Sequence, residues 1–220
     1  MQVHLQKEMT QLKQRIVALS ALVEENLRLA VKSVEKADIY LAEMICARDR
    51  EVDAMEVEIE EDCLKILALH QPVATDLRFI IAVLKMNNDL ERIGDLAVNV
   101  AERAGRFSAE KPMDLMSELT RMAACARSML RRSLDSVVNL DLSLAREVLA
   151  DDDEVDAIYH GITRQVRERL SNHAVNVDEL LQAMVVAKQV ERVADLATNI
   201  AEDAIYMVEG RIVRHGRDAC

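Results

Sequence analysis

The chain is written twice. Leu27 to Asp53 recurs as Leu130 to Asp156 at a constant displacement of 103 residues, matching Ser33 with Ser136, Val34 with Val137 and Asp38 with Asp141. Leu41, Ala42, Val52 and Ala54 return as Leu144, Ala145, Val155 and Ala157. Further along, the displacement is 100, and Glu91-Arg92-x-x-Asp95-Leu96-Ala97-x-Asn99 returns as Glu191-Arg192-x-x-Asp195-Leu196-Ala197-x-Asn199, with Ala101-Glu102 as Ala201-Glu202. Three residues are lost between the two blocks, as a shortened loop between unchanged helices would leave. The chain therefore divides into two copies of one unit, residues 1–110 and 111–220.

Each unit is helical. Phe79, Val83, Met86, Leu90, Ile93, Ala97, Val100 and Ala104 alternate spacings of four and three, a heptad seam, and Ala183, Val186, Val190, Val193, Ala197, Ile200, Ala204 and Met207 repeat it. With two Phe, three Tyr and no Trp, the interior must be filled by aliphatic residues and Met, which suits helices better than sheets. Pro72 interrupts the first copy, Pro112 separates the copies, and Gly105 and Gly210 sit where long helices should stop. The expected fold is all-α, two tandem three-helix bundles related by internal duplication. The expected helices cover 5–36, 39–70, 75–105, 113–139, 141–172 and 177–209, with a jog near Arg48 and near Ala150. Asn176 with Glu179 three residues on reads as a capping box, and each third helix should bury one stripe against its own bundle.

Charge and composition exclude several function classes. A net charge of −11 opposes the phosphate contacts that drive nucleic-acid binding, and the few aromatics offer no stacking platform. Cys46, Cys63, Cys125 and Cys220 form no C-x-x-C pair, and the first thirty residues lack a signal-peptide core, so a cytoplasmic, reducing compartment is expected. No apolar run approaches the ~20 residues of a membrane span, which leaves membrane association to protein partners.

The acidic residues are arranged. On a helix, Glu91, Asp95, Asn99 and Glu102 fall within an arc of about 80° away from the seam, as do Glu191, Asp195, Asn199 and Glu202. The preceding helix carries Asp49 and Asp53, four apart on one side, repeated as Asp152 and Asp156. In an antiparallel hairpin turning near Pro72, residues equally far from the turn lie level, so Asp53 faces Glu91 and Asp49 faces Asp95. The second quartet assembles likewise about a turn between His173 and Ala174. The run Asp151-Asp152-Asp153-Glu154 reads mainly as a helix-start preference with one ligand embedded. Four level carboxylates either raise a pKa or recruit a counter-charge. A cation is the natural counter-charge, and oxygen-only ligands favour hard ions such as magnesium, calcium, manganese or iron, with zinc still compatible. Arg92 and Arg192, next to the glutamates, are the competing counter-charge.

These residues resemble the PhoU family closely. The likeness rests on Gln71-Pro72-Val73-Ala74-Thr75-Asp76-Leu77-Arg78, on Asp89 through Glu102, and on Glu191 through Glu202, and it spans nearly the whole chain. It implies two symmetric three-helix bundles with metal ions at surface clusters of the acidic-x-x-x-Asp motifs, here Asp49/Asp53, Glu91/Asp95, Asp152/Asp156 and Glu191/Asp195. It implies a negative regulator of phosphate uptake and the phosphate-starvation response. That regulator would act between the ATPase of a phosphate ABC transporter and a sensor histidine kinase, as a homodimer. Two departures stand out: the family's Ile-Gly before the aspartate becomes Val193-Ala194 in the second copy, and Gln71-Pro72 has no counterpart there.

Two rivals share the helical fold. A carboxylate-bridged di-iron enzyme would use Glu-x-x-His pairs aimed into a bundle core, and the chain has none; no nucleophile constellation appears either, and no enzymatic activity is expected. A metal-free adaptor would use the same acidic stripes to dock basic surfaces of partner proteins.

Overall fold

The computed structural model describes residues 2–108, 113–172 and 176–211. Among these are six α-helices: α1 (Gln2–Lys36), α2 (Ile39–His70), α3 (Ala74–Ala101), α4 (Met116–Asn139), α5 (Leu142–Ser171) and α6 (Val177–Glu209). Pro112, His173, Ala174, Cys220 and the division at 110/111 lie outside the described residues. Helices α1 to α3 form one three-helix bundle and α4 to α6 the other, and the bundles meet where α3 packs on α6 and α1 on α4.

The repeated Ser and Asp residues close equivalent turns. After α1, Ala37 adopts φ 51°, and the Asp38 N–H donates to the Ser33 carbonyl at 2.8 Å; after α4, Leu140 adopts φ 55°, and the Asp141 N–H donates to the Ser136 carbonyl at 2.9 Å. Both turns satisfy the last carbonyls of a helix through a left-handed residue. The Asp38 carboxylate then accepts from Leu41 N–H, and that of Asp141 from Ser143 and Leu144 N–H, capping α2 and α5. Between α2 and α3, Gln71 turns at φ 45° beside a buried Pro72, making the expected antiparallel hairpin.

Several expectations need correcting. Helix α3 stops at Ala101, and Gly105 lies in a 3₁₀ turn (Ala104–Arg106); α4 starts at Met116 rather than 113. Helices α2 and α5 run unbroken through Arg48 and Ala150, so there is no interruption at either place. The acidic run 151–154 lies in the third and fourth turns of α5, whose start is capped by Asp141, so it is not a helix-start signal. Asn176 makes no cap bond to backbone; its amide donates to Glu179, whose buried carboxylate accepts from Ser108 N–H. Glu179 is held by the loop after the first bundle instead of closing a capping box.

The seam positions are buried throughout, except that Phe79 is only half-buried. The single stripe is too narrow, however: Ala82, Leu96, Ala101, Ala187, Ala194, Ala201 and Ile205 are buried as well. Each third helix packs on two neighbours in its own bundle and on the other third helix.

Candidate cation sites on two helical hairpins

The α2–α3 hairpin brings Asp49, Asp53, Glu91 and Asp95 together, and the α5–α6 hairpin does the same for Asp152, Asp156, Glu191 and Asp195. Their mutual electrostatics show this. Partial burial first, then the charges of Asp53 and Asp95, push the Asp49 carboxyl up to about 6. Burial, then Asp95, Asp53, Glu56 and Asp49, push Glu91 upward as well. In the second hairpin, burial followed by Asp156, Asp195, Asp153 and Glu191 raises Asp152 to about 6. Asp195 is raised by burial, then by Glu191 and Asp156, against the lowering pull of Lys188 and, less, of Arg192.

Of the outer residues, Asn99 and Glu202 are half-buried, and Glu102 and Asn199 exposed. Glu102 lies near Cys46, one turn of α2 before Asp49, and helps raise that thiol, after burial. Cys46, Cys63 and Cys125 are free thiols, all pushed upward chiefly by burial, which suits inert side chains better than metal ligands or nucleophiles.

No Lys, Arg or His nitrogen comes within 4.0 Å of Asp49, Asp53, Glu91 or Asp95 among the described residues. In the second quartet only Glu191 has such a partner, Lys188 Nζ at 2.6 Å. Neither Arg92 nor Arg192 fills the role of counter-charge by a direct ion pair. Among the described residues no three His, Cys, Asp or Glu side chains converge in the manner of a closed metal site. Bare carboxylates repel and splay, and a cation would have to draw them in. The donor set itself, oxygen only, fits a hard divalent or trivalent ion.

Glu56 escaped the sequence reading. It lies three residues after Asp53, on the same side of α2, and adds to the charge felt by Glu91. Counting from Pro72 puts it level with Asn88, so the rule that paired the quartet could have found it. The close approach of the helices is visible at Gly94, where a Cβ would lie 3.2 Å from both Asp49 Oδ1 and Val52 Cγ1.

The PhoU domain matches twice, over residues 16–104 and 119–204. The chain belongs to the PhoU family. It is 36% identical to a phosphate-specific transport system accessory protein PhoU homolog of Aquifex aeolicus over 209 residues, 95% of each chain. The crystal structure of PhoU from Pseudomonas aeruginosa superposes with a TM-score of 0.89 at 33% identity, covering 94% of this chain and 99% of that one. The phosphate transport system regulatory protein PhoU from Streptococcus pneumoniae gives the same TM-score at 26% identity, covering 96% and 100%. Both PhoU repeats thus contain a complete acidic quartet, and a role accessory to phosphate transport follows from the family.

Proposed function

We propose that this PhoU protein is a non-enzymatic, cytoplasmic negative regulator of phosphate uptake and of the phosphate-starvation response, whose two carboxylate quartets bind hard cations. The observation that carries the cation reading is a pair of repeated quartets, each holding a carboxyl near 6, with Lys188 as the one cationic side chain paired to either set among the described residues. Iron, manganese, magnesium and calcium suit the oxygen donors best. The partners proposed from the family are the transporter ATPase and a sensor histidine kinase, reached at the inner membrane face through protein contacts, with the chain acting as a homodimer. Among the described residues no helix is long and apolar enough to cross a membrane.

The test is elemental analysis of protein purified without chelator, beside an Asp53→Ala/Glu91→Ala/Asp156→Ala/Glu191→Ala variant of equal helicity. Stoichiometric metal lost in the variant is expected, together with transporter-ATPase capture that depends on metal. The metal-free adaptor reading is favoured by the Lys188–Glu191 pair. It predicts no metal in either protein and capture that weakens with salt.

A further inference from the structure

Where α3 meets α6, the two repeats enclose a half-open cavity of about 250 Å³ lined by Arg92, Asp95 and Asn99 from one helix and Arg192 and Asp195 from the other. Leu96 and Leu196 supply its apolar part. The arginines are equivalent by the duplication, so the near-symmetry of the fold brings two guanidiniums to one cavity. Both are solvent-exposed, and among the described residues neither has a hydrogen-bond or ion-pair partner, although acidic residues outnumber basic ones 39 to 28 and Arg15, Arg28, Arg132 and Arg146 have all found carboxylates. Asp95 and Asp195 share the cavity yet stand outside ion-pair distance of either arginine.

We propose that Arg92 and Arg192 form a binding site for one tetrahedral oxyanion of the phosphate class at the seam between the repeats. A guanidinium offers a planar fork of donors that matches two oxygens of such an anion, and two forks from opposite walls can share its four oxygens. Asn99 adds an amide donor. Asp95 and Asp195 oppose the anion while the quartets are bare and cease to do so once a cation neutralises them. Cation and oxyanion then strengthen each other by the same factor. Only this cooperative part rests on the proposed cation sites; the arginine pair itself does not.

The experiment is calorimetric titration of inorganic phosphate into the full chain, chelator-treated and manganese-loaded, for wild type, Arg92→Gln/Arg192→Gln and Arg92→Lys/Arg192→Lys. Circular dichroism and metal content are checked in each. One phosphate per chain is expected, with affinity reduced at least tenfold in the glutamine variant, reduced less in the lysine variant, and raised by manganese in wild type. Equal phosphate affinity in the wild type and glutamine variant would place the anion elsewhere and overturn the site, as would no binding by wild type at millimolar phosphate. If the protein holds no manganese but the chelator-treated form still loses phosphate with its arginines, the cation reading fails and the oxyanion site stands. If manganese binds and the arginines make no difference, the reverse holds.

Discussion

One turn beyond Asp53 the first repeat places Glu56, level with Asn88; at the same two positions the second repeat has Tyr159 and Lys188. The four central carboxylates are the same in both hairpins, but their surroundings differ in sign. Glu56 adds negative charge to the first site. Lys188 pairs with Glu191 at 2.6 Å in the second, its Nζ lying 5.4 Å from the centre of the Tyr159 ring. Duplication kept the backbone that levels the quartets, whereas the counter-charge diverged. Among the described residues the first quartet has no cationic side chain within ion-pair distance, whereas the second has Lys188.

The seam between the repeats is unequal too, and there the largest effect is expected. Lys85 of α3 donates to Asp203 of α6 at 2.7 Å and lies 5.1 Å from the Tyr206 ring centre. The equivalent positions hold Val185 and Arg103, which cannot repeat the pair. Asp203 keeps only 10% of its side chain exposed, so Lys85→Ala should cost about 2 kcal/mol by removing a charge-assisted bond from a nearly buried carboxylate. Val185→Ala should cost clearly less. Urea unfolding of the two variants measures this, and equal losses would mean the seam is held by packing alone.

Next in size is the difference in cation affinity. Manganese titration followed by electron paramagnetic resonance should resolve two classes of site, the first tighter by about tenfold, or ~1.4 kcal/mol. Lys188→Asn should raise the weaker class toward the tighter one, and Asn88→Lys should lower the tighter class. A single class unaffected by either change would remove the distinction between the repeats.

Much of this was legible because duplication turns one sequence into two readings of one structure. The matched Ser33/Ser136 and Asp38/Asp141 look unremarkable singly, yet both sets close a left-handed turn and cap the next helix. The level quartets follow from a helix period and the position of Pro72. The second buried face of α3 and α6 was not legible, since Ala82, Ala101, Ala187 and Ala201 are as much at home on a surface as in a core, and only the packing of several helices around each third helix buries them. The free guanidiniums of Arg92 and Arg192 were hidden for a related reason. Each stands next to a glutamate in sequence, but neighbours in a helix point about 100° apart; among the described residues neither forms an ion pair, while the charge of Arg192 still offsets part of that at Asp195.

A smaller effect is expected from pH in chelator-treated protein. Asp49 and Asp152 have folded-state values near 6, above those of an unfolded carboxylate. The fold therefore takes up these protons more readily than the unfolded chain. The resulting stability is fully present below the unfolded value of about 4 and is lost as pH rises toward 6. Each group contributes about 1 kcal/mol once solvent screening is discounted. Chelated wild type should melt a few degrees higher at pH 5 than at pH 7 relative to Asp49→Asn/Asp152→Asn; identical slopes would show that the quartets are already relaxed. Manganese loading should run the other way, falling as protons reclaim the carboxylates below pH 6.

The smallest change concerns the distance between paired helices. A Cβ at Gly94 would lie 3.2 Å from Asp49 Oδ1 and from the buried Val52 side chain, whereas Ala194 already occupies the equivalent place in the second repeat. Gly94→Ala gains up to ~1 kcal/mol of helix propensity, and crowding against Val52 offsets it, so net stability should change by less than about 1 kcal/mol. Its consequence should appear in the site, because Asp49 must move and first-site manganese affinity should fall a few-fold. Ala194→Gly should cost about 1 kcal/mol of stability and leave second-site affinity as it was. If Gly94→Ala instead stabilises by the full helix term with unchanged affinity, α2 yields freely, and glycine at this position does not set how closely the first quartet is held.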